Sequence, residues 1–198
     1  MARLDPLPPS HSPELTGHFD SFLKSLGFVP NSVLTMQRDP NLVRAFVVLQ
    51  GAIWGPDSKV DRGLKRLLAH VASRTAGDAY SMAHTASGAL HFGISAEKLA
   101  AVSNYERSPL FTSAEKAALR FAQAAAQIPN AVSDEVFATL RSHWDENQIV
   151  EIVAAIAATS FVNRWNTTLV TSLEKEPMEV GQKHLARQGW SPGGHGAG

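Results

Sequence analysis

Apolar residues recur at helical spacing along most of this chain, and this feature most limits how the chain can fold. Between Val60 and about Ala76, for example, they fall three or four residues apart and so share one helix face. Strand-like alternation of apolar and polar residues is nearly absent, as are hairpin turns. The sequence therefore predicts an all-α fold.

Capping patterns mark the start of several predicted helices. A cap side chain accepts a hydrogen bond from one of the first backbone N–H groups of its helix. The patterns are Thr112 with Glu115, Asp145 with Gln148, and Asp39 before Pro40. Gly77 is predicted to separate the helix ending near Ala76 from a second helix over residues 80–91, and the last long helix is predicted from Ile149 to about Leu173.

The two ends of the chain differ in composition from its middle. Residues 1–13 are rich in proline and have little apolar periodicity, so they predict an extended N-terminal arm. Residues 14–178 are predicted to form one helical domain. Residues 179–198 are predicted to be a C-terminal tail; its stretch 189–195 is too rich in glycine for regular structure, although Trp190 could dock on the domain.

Charge and cysteine content exclude several function classes. The 18 Lys and Arg residues balance the 18 Asp and Glu residues, so the chain has no basic excess to bind phosphates or anionic lipid. The chain has no cysteine, which excludes disulfides, thiolate nucleophiles and cysteine-based metal sites. No apolar run approaches the roughly 20 residues of a membrane span. We expect a soluble, cytoplasmic protein with neither nucleic acid nor membrane as a partner.

Wide, alanine-rich apolar faces are a further property of the predicted helices. Such helices pack closely and often leave one face for a partner subunit, so self-association as a homo-oligomer is expected. Alanine-rich packing within a single core is the alternative explanation of the same pattern.

Four stretches, residues 26–34, 73–85, 108–111 and 161–166, occur in an order that resembles the carboxymuconolactone decarboxylase and alkyl hydroperoxidase D-like (AhpD-like) family. The likeness is to the longer, peroxidase-related branch and runs from about Phe19 to His195. The resemblance implies an all-α, AhpD-like helical bundle that assembles into oligomers.

Redox-active members of that family carry the motif Gly-Cys-x-Tyr-Cys-x-Ala-His-Thr at a helix start. The residues that match here are Gly77, Tyr80, Ala83, His84 and Thr85. Asp78 and Ser81 stand at the two cysteine positions, by natural or by deliberate replacement. Peroxide reduction needs one thiolate to attack oxygen and a second thiol to resolve the product, so peroxidase activity is not expected. The glutamate that assists the thiols should fall near Lys65 or Arg66, and neither is acidic.

The altered motif still places ionisable side chains along one helix. Asp78, Ser81 and His84 are three residues apart, so they are expected to line one pocket wall. His84 is the main catalytic candidate because an imidazole exchanges protons near neutral pH. Tyr80 is a candidate to assist by hydrogen bonding. Ser81, beside a histidine, is a further candidate as a nucleophile. The structural alternatives are a helix cap for Asp78, a silent cysteine replacement for Ser81, a buried imidazole hydrogen-bonded to a neighbouring helix for His84, and core packing for Tyr80.

The phrase Asn163-Arg164-Trp165-Asn166 in the last long helix supplies two substrate-binding candidates. Arg164 is positioned to neutralise an acidic substrate, with Trp165 beside it. The structural alternative pairs Arg164 with Glu151 and packs Trp165 at a subunit interface.

A metal site is a further alternative. His84 and His91 share a helix face but lie about 10 Å apart along the axis, so His70 and Asp78 would have to complete the ligand set. Our main expectation is a chain with no metal and no cofactor.

Together, these observations predict a family member that acts on a small organic molecule by thiol-independent acid–base chemistry of the decarboxylase or lyase type. His84 is the predicted proton carrier. The alternatives are a non-catalytic oligomeric binding or structural homologue, and a His/Asp metal-dependent enzyme.

Overall fold

The computed structural model describes residues 2–196, which form ten α-helices and no β-strand. The helices are α1 (Thr16–Leu26), α2 (Asn31–Met36), α3 (Pro40–Trp54), α4 (Arg62–Ala76), α5 (Ala79–His91), α6 (Ala96–Ala101), α7 (Ser113–Ala125), α8 (Asp134–Arg141), α9 (Glu146–Leu169) and α10 (Lys175–Val180). The all-α prediction is confirmed. Within residues 2–196, no helix is long and apolar enough to cross a lipid bilayer.

Both predicted capping boxes are present. Thr112 accepts the backbone N–H of Glu115 at 3.2 Å, and Asp145 accepts that of Gln148 at 2.9 Å. Because Asp145 is a cap, α9 begins three residues earlier than the apolar pattern predicted. It also ends earlier, at Leu169, because Val170 adopts a positive φ of 51°.

The main core forms around α4 and α5, which pack on each other, with α7 and α9 against α4. Fully buried leucine and isoleucine side chains fill it, among them Leu67, Leu68, Leu119 and Ile152. These are the positions that the helical periodicity assigns to inward faces. The pair α4 and α5 therefore forms a rigid support for the Asp78–His84 motif.

A second apolar cluster joins α1, α2 and α3 beside the main core. Its buried members include Phe19, Val33, Met36 and Phe46. The N-terminal arm lies along this part of the molecule through backbone hydrogen bonds: Arg3 N–H donates to the Leu169 carbonyl at 2.8 Å, and Leu7 N–H to the Leu34 carbonyl at 3.2 Å.

Helical structure continues past the predicted end of the domain at residue 178. Helix α10 runs across residue 178, and a π-helical turn, Gly181–Leu185, follows it directly. Trp190 is buried and donates its indole N–H to the Ala79 carbonyl at 3.0 Å, so its predicted docking is confirmed. A Cβ at position 181 would come within 2.4 Å of the Trp190 ring, so glycine is required there. This glycine makes room for the docked indole.

Candidate active site

A buried carboxylate, Glu174, joins three separate segments of the chain. It is the residue that precedes α10, and its side chain is 8% exposed. Oε1 accepts the Tyr80 hydroxyl proton at 2.7 Å and the backbone N–H of Asn31, at the start of α2. Oε2 lies 2.6 Å from Nε2 of His84, on α5. The polar site is therefore assembled from α2, α5 and the residue before α10.

This geometry sets the proton positions on His84. An ionised carboxylate only accepts hydrogen bonds, so Nε2 carries a proton. The other ring nitrogen, Nδ1, makes no hydrogen bond within residues 2–196, and the side chain is 20% exposed. An imidazole held at one nitrogen by a carboxylate and open at the other is the arrangement of a general base.

Charge and hydrogen bonding keep Glu174 ionised. Burial alone raises the pKa of this carboxyl, but the interaction with His84 and the donors Asn31 and Tyr80 outweigh it and lower the pKa below its usual value. The site thus keeps a fixed negative charge next to the imidazole, which stabilises the imidazolium form during proton transfer.

Tyr80 holds His84 from one side. The two rings stack with centroids 4.4 Å apart, and their four-residue spacing places them on one face of α5. Burial and the neighbouring Glu174 raise the pKa of Tyr80 well above its usual value, so the hydroxyl stays protonated as a donor. Phe28 meets the imidazole edge-on at 5.8 Å. The imidazole is therefore fixed between two aromatic rings.

Asp78 and Ser81 form no hydrogen bond with either member of the dyad of His84 and Glu174 within residues 2–196. Asp78 caps α5 by accepting the Tyr80 N–H at 3.1 Å, and its side chain is fully buried. Its Oδ1 lies 3.7 Å from Nε2 of His195, in the tail. Ser81 is also buried and accepts from Asn166 of α9 at 3.4 Å. Tyr80 thus separates an outer pair, His84 and Glu174, from this inner group.

Burial raises the pKa of Asp78, although Ser81 and His195 oppose the rise. One of its oxygens, Oδ2, has no hydrogen-bond partner. A buried carboxyl with an unpartnered oxygen is less costly in its neutral form, because burial penalises charge.

Comparison with known proteins places the fold and the motif in a family. The sequence model of the Carboxymuconolactone decarboxylase family matches residues 40–124. Two crystal structures of the debrominase Bmp8 share 32% identity with the chain. One is a variant with a cysteine replaced by alanine, in complex with 2,3,4-tribromopyrrole, at a TM-score of 0.85 over 91% of this chain and 96% of that one. The apo structure has a TM-score of 0.83 over 89% and 95%.

The chain belongs to the carboxymuconolactone decarboxylase family. A curated relative, the uncharacterized protein YnjA of Escherichia coli (strain K12), is 35% identical over 75 residues, which is 38% of this chain and 41% of YnjA. The alkylhydroperoxidase AhpD core of an uncharacterized peroxidase-related protein from Ralstonia eutropha JMP134 shares the fold at 20% identity, with a TM-score of 0.77 over 89% of this chain and 94% of that one. The predicted resemblance is confirmed.

Lys65 and Arg66, near which the resemblance places the helper glutamate of redox-active members, both lie on α4. Lys65 is buried, and its ammonium donates to the Ile53 carbonyl at 2.5 Å and lies 3.4 Å from Glu151. Burial lowers the pKa of Lys65, against the opposing effect of Glu151. The carboxylate beside the family histidine comes instead from Glu174, far along the chain.

Arg164 and Trp165 lie outside the contacts of the dyad. Arg164 is exposed, and its side chain forms no hydrogen bond or ion pair within residues 2–196. The suggested partner Glu151 binds Ser58 and Lys65 instead, so the Arg164–Glu151 pair is wrong. Trp165 packs against the second apolar cluster and donates to Thr35 at 2.9 Å.

The histidines considered as metal ligands do not converge. His70 points into the core and bonds the Met82 carbonyl through Nδ1 at 3.0 Å, while His91 is exposed. In the part of the chain that the structure describes, no three His, Asp or Glu side chains form a metal-binding group.

Two site residues escaped sequence reasoning. Glu174 follows His84 by 90 residues and belongs to no motif. The one sequence feature that could have drawn attention to it is its position shortly before the predicted end of the domain. His195 lies in the glycine-rich tail. Only the folded chain brings either of them to α5.

Proposed function

We propose that this chain is an enzyme that acts on a small organic molecule by thiol-independent proton transfer of the lyase type. The observation that carries the proposal is the contact of 2.6 Å between His84 Nε2 and the buried Glu174, which leaves Nδ1 without a partner. His84 is the proton carrier, and Glu174 holds and charge-stabilises its ring. Tyr80 fixes both groups.

The proposed reaction begins when Nδ1 of neutral His84 takes a proton from the substrate. The imidazolium that forms faces the ionised Glu174, which lowers the cost of the charge. The imidazolium, which is partly exposed to solvent, exchanges this proton with water and then delivers a proton, or a deuteron in D₂O, to the substrate or to its leaving group. Asp78 caps the start of α5 and Ser81 binds Asn166 of α9, and neither carries a proton in this scheme.

The similarity to the debrominase Bmp8 supports a small-molecule substrate. Because this chain has no cysteine, no step in it uses a thiol. We therefore transfer from Bmp8 only the scale of the ligand and take 2,3,4-tribromopyrrole as the first ring compound to test. Small carboxylic acids, the substrates of a decarboxylation, form the second set.

Hydrogen exchange in D₂O tests the proposal without knowledge of the final product. Wild-type protein should speed exchange of a carbon-bound hydrogen in at least one compound of the two sets, measured by proton NMR. His84→Gln keeps a donor for Glu174 but cannot carry a proton, so exchange should fall by about 100-fold or more. Exchange that is equal in wild type and His84→Gln, or absent for every compound, would favour the non-catalytic alternative.

We also propose that the chain assembles as a homo-oligomer through α3 and α9. These helices pack on each other and leave large apolar side chains exposed: Val48, Leu49, Val150, Val153 and Phe161. Exposed apolar side chains on two adjoining helices are typical of a partner surface. Val150→Glu should therefore lower the mass measured by light scattering, while Ile128→Glu, in an exposed loop, should leave it unchanged.

A further inference from the structure

An apolar groove of about 540 Å³ lies beside the dyad, between the N-terminal arm, α1 and α2. Its apolar lining consists of Phe19, Leu23, Phe28, Val29 and Leu34, together with prolines of the arm. This volume lies within the range of small-molecule sites, which is about 300–1,000 Å³. The groove therefore has the size and lining to hold a small apolar compound.

The groove and the dyad share one wall. Phe28 lines the groove and also meets the His84 ring edge-on at 5.8 Å. Three residues further on, the Asn31 backbone N–H binds Glu174, and Leu34 of the same short helix lines the groove again. The groove and the imidazole are thus in contact with the same aromatic side chain, Phe28.

The charge of this region selects against anions. Among the described residues that line the groove, Asp20 is the one charged side chain, and no lysine, arginine or histidine lines it. Behind the shared wall lies the ionised Glu174. A carboxylate in the groove would lose water without gaining a cationic partner, which is costly.

We propose that this groove binds the body of the substrate, and that the substrate is an uncharged, flat, apolar ring compound rather than a carboxylate. The inference rests on the proposed function and narrows it. It directs the lyase chemistry of His84 to an uncharged ring and away from decarboxylation of a free acid. Phe28 is the side chain that both lines the groove and contacts the His84 ring.

Two related probes test the preference for an uncharged ring. Calorimetric titration should show that the protein binds 2,3,4-tribromopyrrole at least about tenfold more tightly than 4,5-dibromopyrrole-2-carboxylate. Leu23→Lys places a cation in the groove at a side chain that is 49% exposed, so folding should tolerate it. This variant should strengthen carboxylate binding and reduce the ratio to about threefold or less.

Ile128→Lys is the matched control, because it adds the same charge at an exposed apolar side chain outside the groove. It should leave the ratio of affinities unchanged. Equal or tighter binding of the carboxylate by wild type overturns the proposal, as does absence of ring binding up to about 1 mM, the weakest affinity expected of a real site. Equal effects of Leu23→Lys and Ile128→Lys also overturn it.

The same titrations on His84→Gln separate this inference from the proposed function. Ring binding that persists in His84→Gln, without hydrogen exchange in wild type, would support the groove and contradict the enzyme. Hydrogen exchange that depends on His84 but is unchanged by Leu23→Lys for both probes would support the enzyme and contradict the groove.

Discussion

Glu174 and Glu151 are two glutamates that each join distant parts of the chain, but they differ in their donors. Glu151 accepts from the Ser58 hydroxyl at 2.5 Å and the Lys59 N–H at 2.9 Å, and lies 3.4 Å from Lys65. Glu174 instead has the imidazole of His84 among its partners.

The comparison shows what separates a structural carboxylate from a functional one. The hydroxyl of Ser58 and the backbone N–H groups of Lys59 and Val60 do not titrate near neutral pH, and together with Lys65 they lower the pKa of Glu151 to about 2 against the effect of burial. Glu151 therefore acts as a fixed joint between α4, α9 and the loop before α4. Glu174 faces a ring that can gain and release a proton, and the ring has an open nitrogen. The Glu174 side chain is also more buried, at 8% exposed against 25% for Glu151.

The largest expected effect is on activity. Glu174→Gln removes the charge that stabilises the imidazolium, so the hydrogen-exchange rate should fall by about 10³-fold, or about 4 kcal/mol of barrier. Glu151→Gln is the matched control and should leave the rate per folded molecule within about twofold. Equal losses of rate in the two variants would show that the two carboxylates do not differ in function.

The second prediction compares two imidazoles. His70 is fully buried with no carboxylate partner, and burial lowers its pKa to about 4. Its folded pKa lies below the unfolded value near 6.5, so it supports folding above pH 6.5 and loses that support as the pH falls toward 4. The loss amounts to about 3 kcal/mol.

Urea unfolding between pH 7.5 and 4 measures this loss. His70→Asn keeps a donor for the Met82 carbonyl and cannot gain a proton, so its stability should fall less steeply than that of wild type. The exposed His91→Asn should follow the wild-type curve. Parallel curves for wild type and His70→Asn would show that His70 is not held neutral in the core.

Helix positions and cores were predictable from the sequence because they depend on local patterns. Capping boxes at Thr112 and Asp145 involve residues three apart, so the sequence displays them directly. The His84 position followed from a motif. Glu174 did not, because a lone glutamate gains its role only from contacts with α2 and α5. The role of glycine at position 181 was also not predictable, because the indole that it accommodates, that of Trp190, lies nine residues further along the chain.

The third prediction concerns the joint at Glu151. Lys65→Met removes the ammonium that binds the Ile53 carbonyl and faces Glu151. The variant should lose about 2 kcal/mol of unfolding free energy, less than a fully buried pair would cost, because Glu151 is 25% exposed and keeps its other donors. Chemical denaturation measures the loss.

A double-mutant cycle of Lys65→Met with Glu151→Gln sharpens this result. The coupling energy should be about 1 kcal/mol, and hydrogen-exchange activity per folded molecule should stay unchanged in all three variants. A coupling near zero would mean that Lys65 is held by the Ile53 carbonyl alone.

The smallest expected effect on stability belongs to Asp78, whose carboxyl is fully buried. Burial raises its folded pKa, so its neutral form supports folding below the unfolded pKa of 3.8, and this support is lost as the pH rises through the folded pKa. Asp78→Asn mimics the neutral form and remains a helix cap, so the variant should match wild type at pH 3 and exceed it at pH 8 by less than about 1 kcal/mol. Asp61→Asn changes an exposed cap of α4 and should show no such gain with pH. If Asp78→Asn is instead less stable than wild type at pH 8, the ionised carboxylate of Asp78 is stabilised by protonated His195, 3.7 Å away. Asp78 and His195 would then form a charged pair, as His84 and Glu174 do.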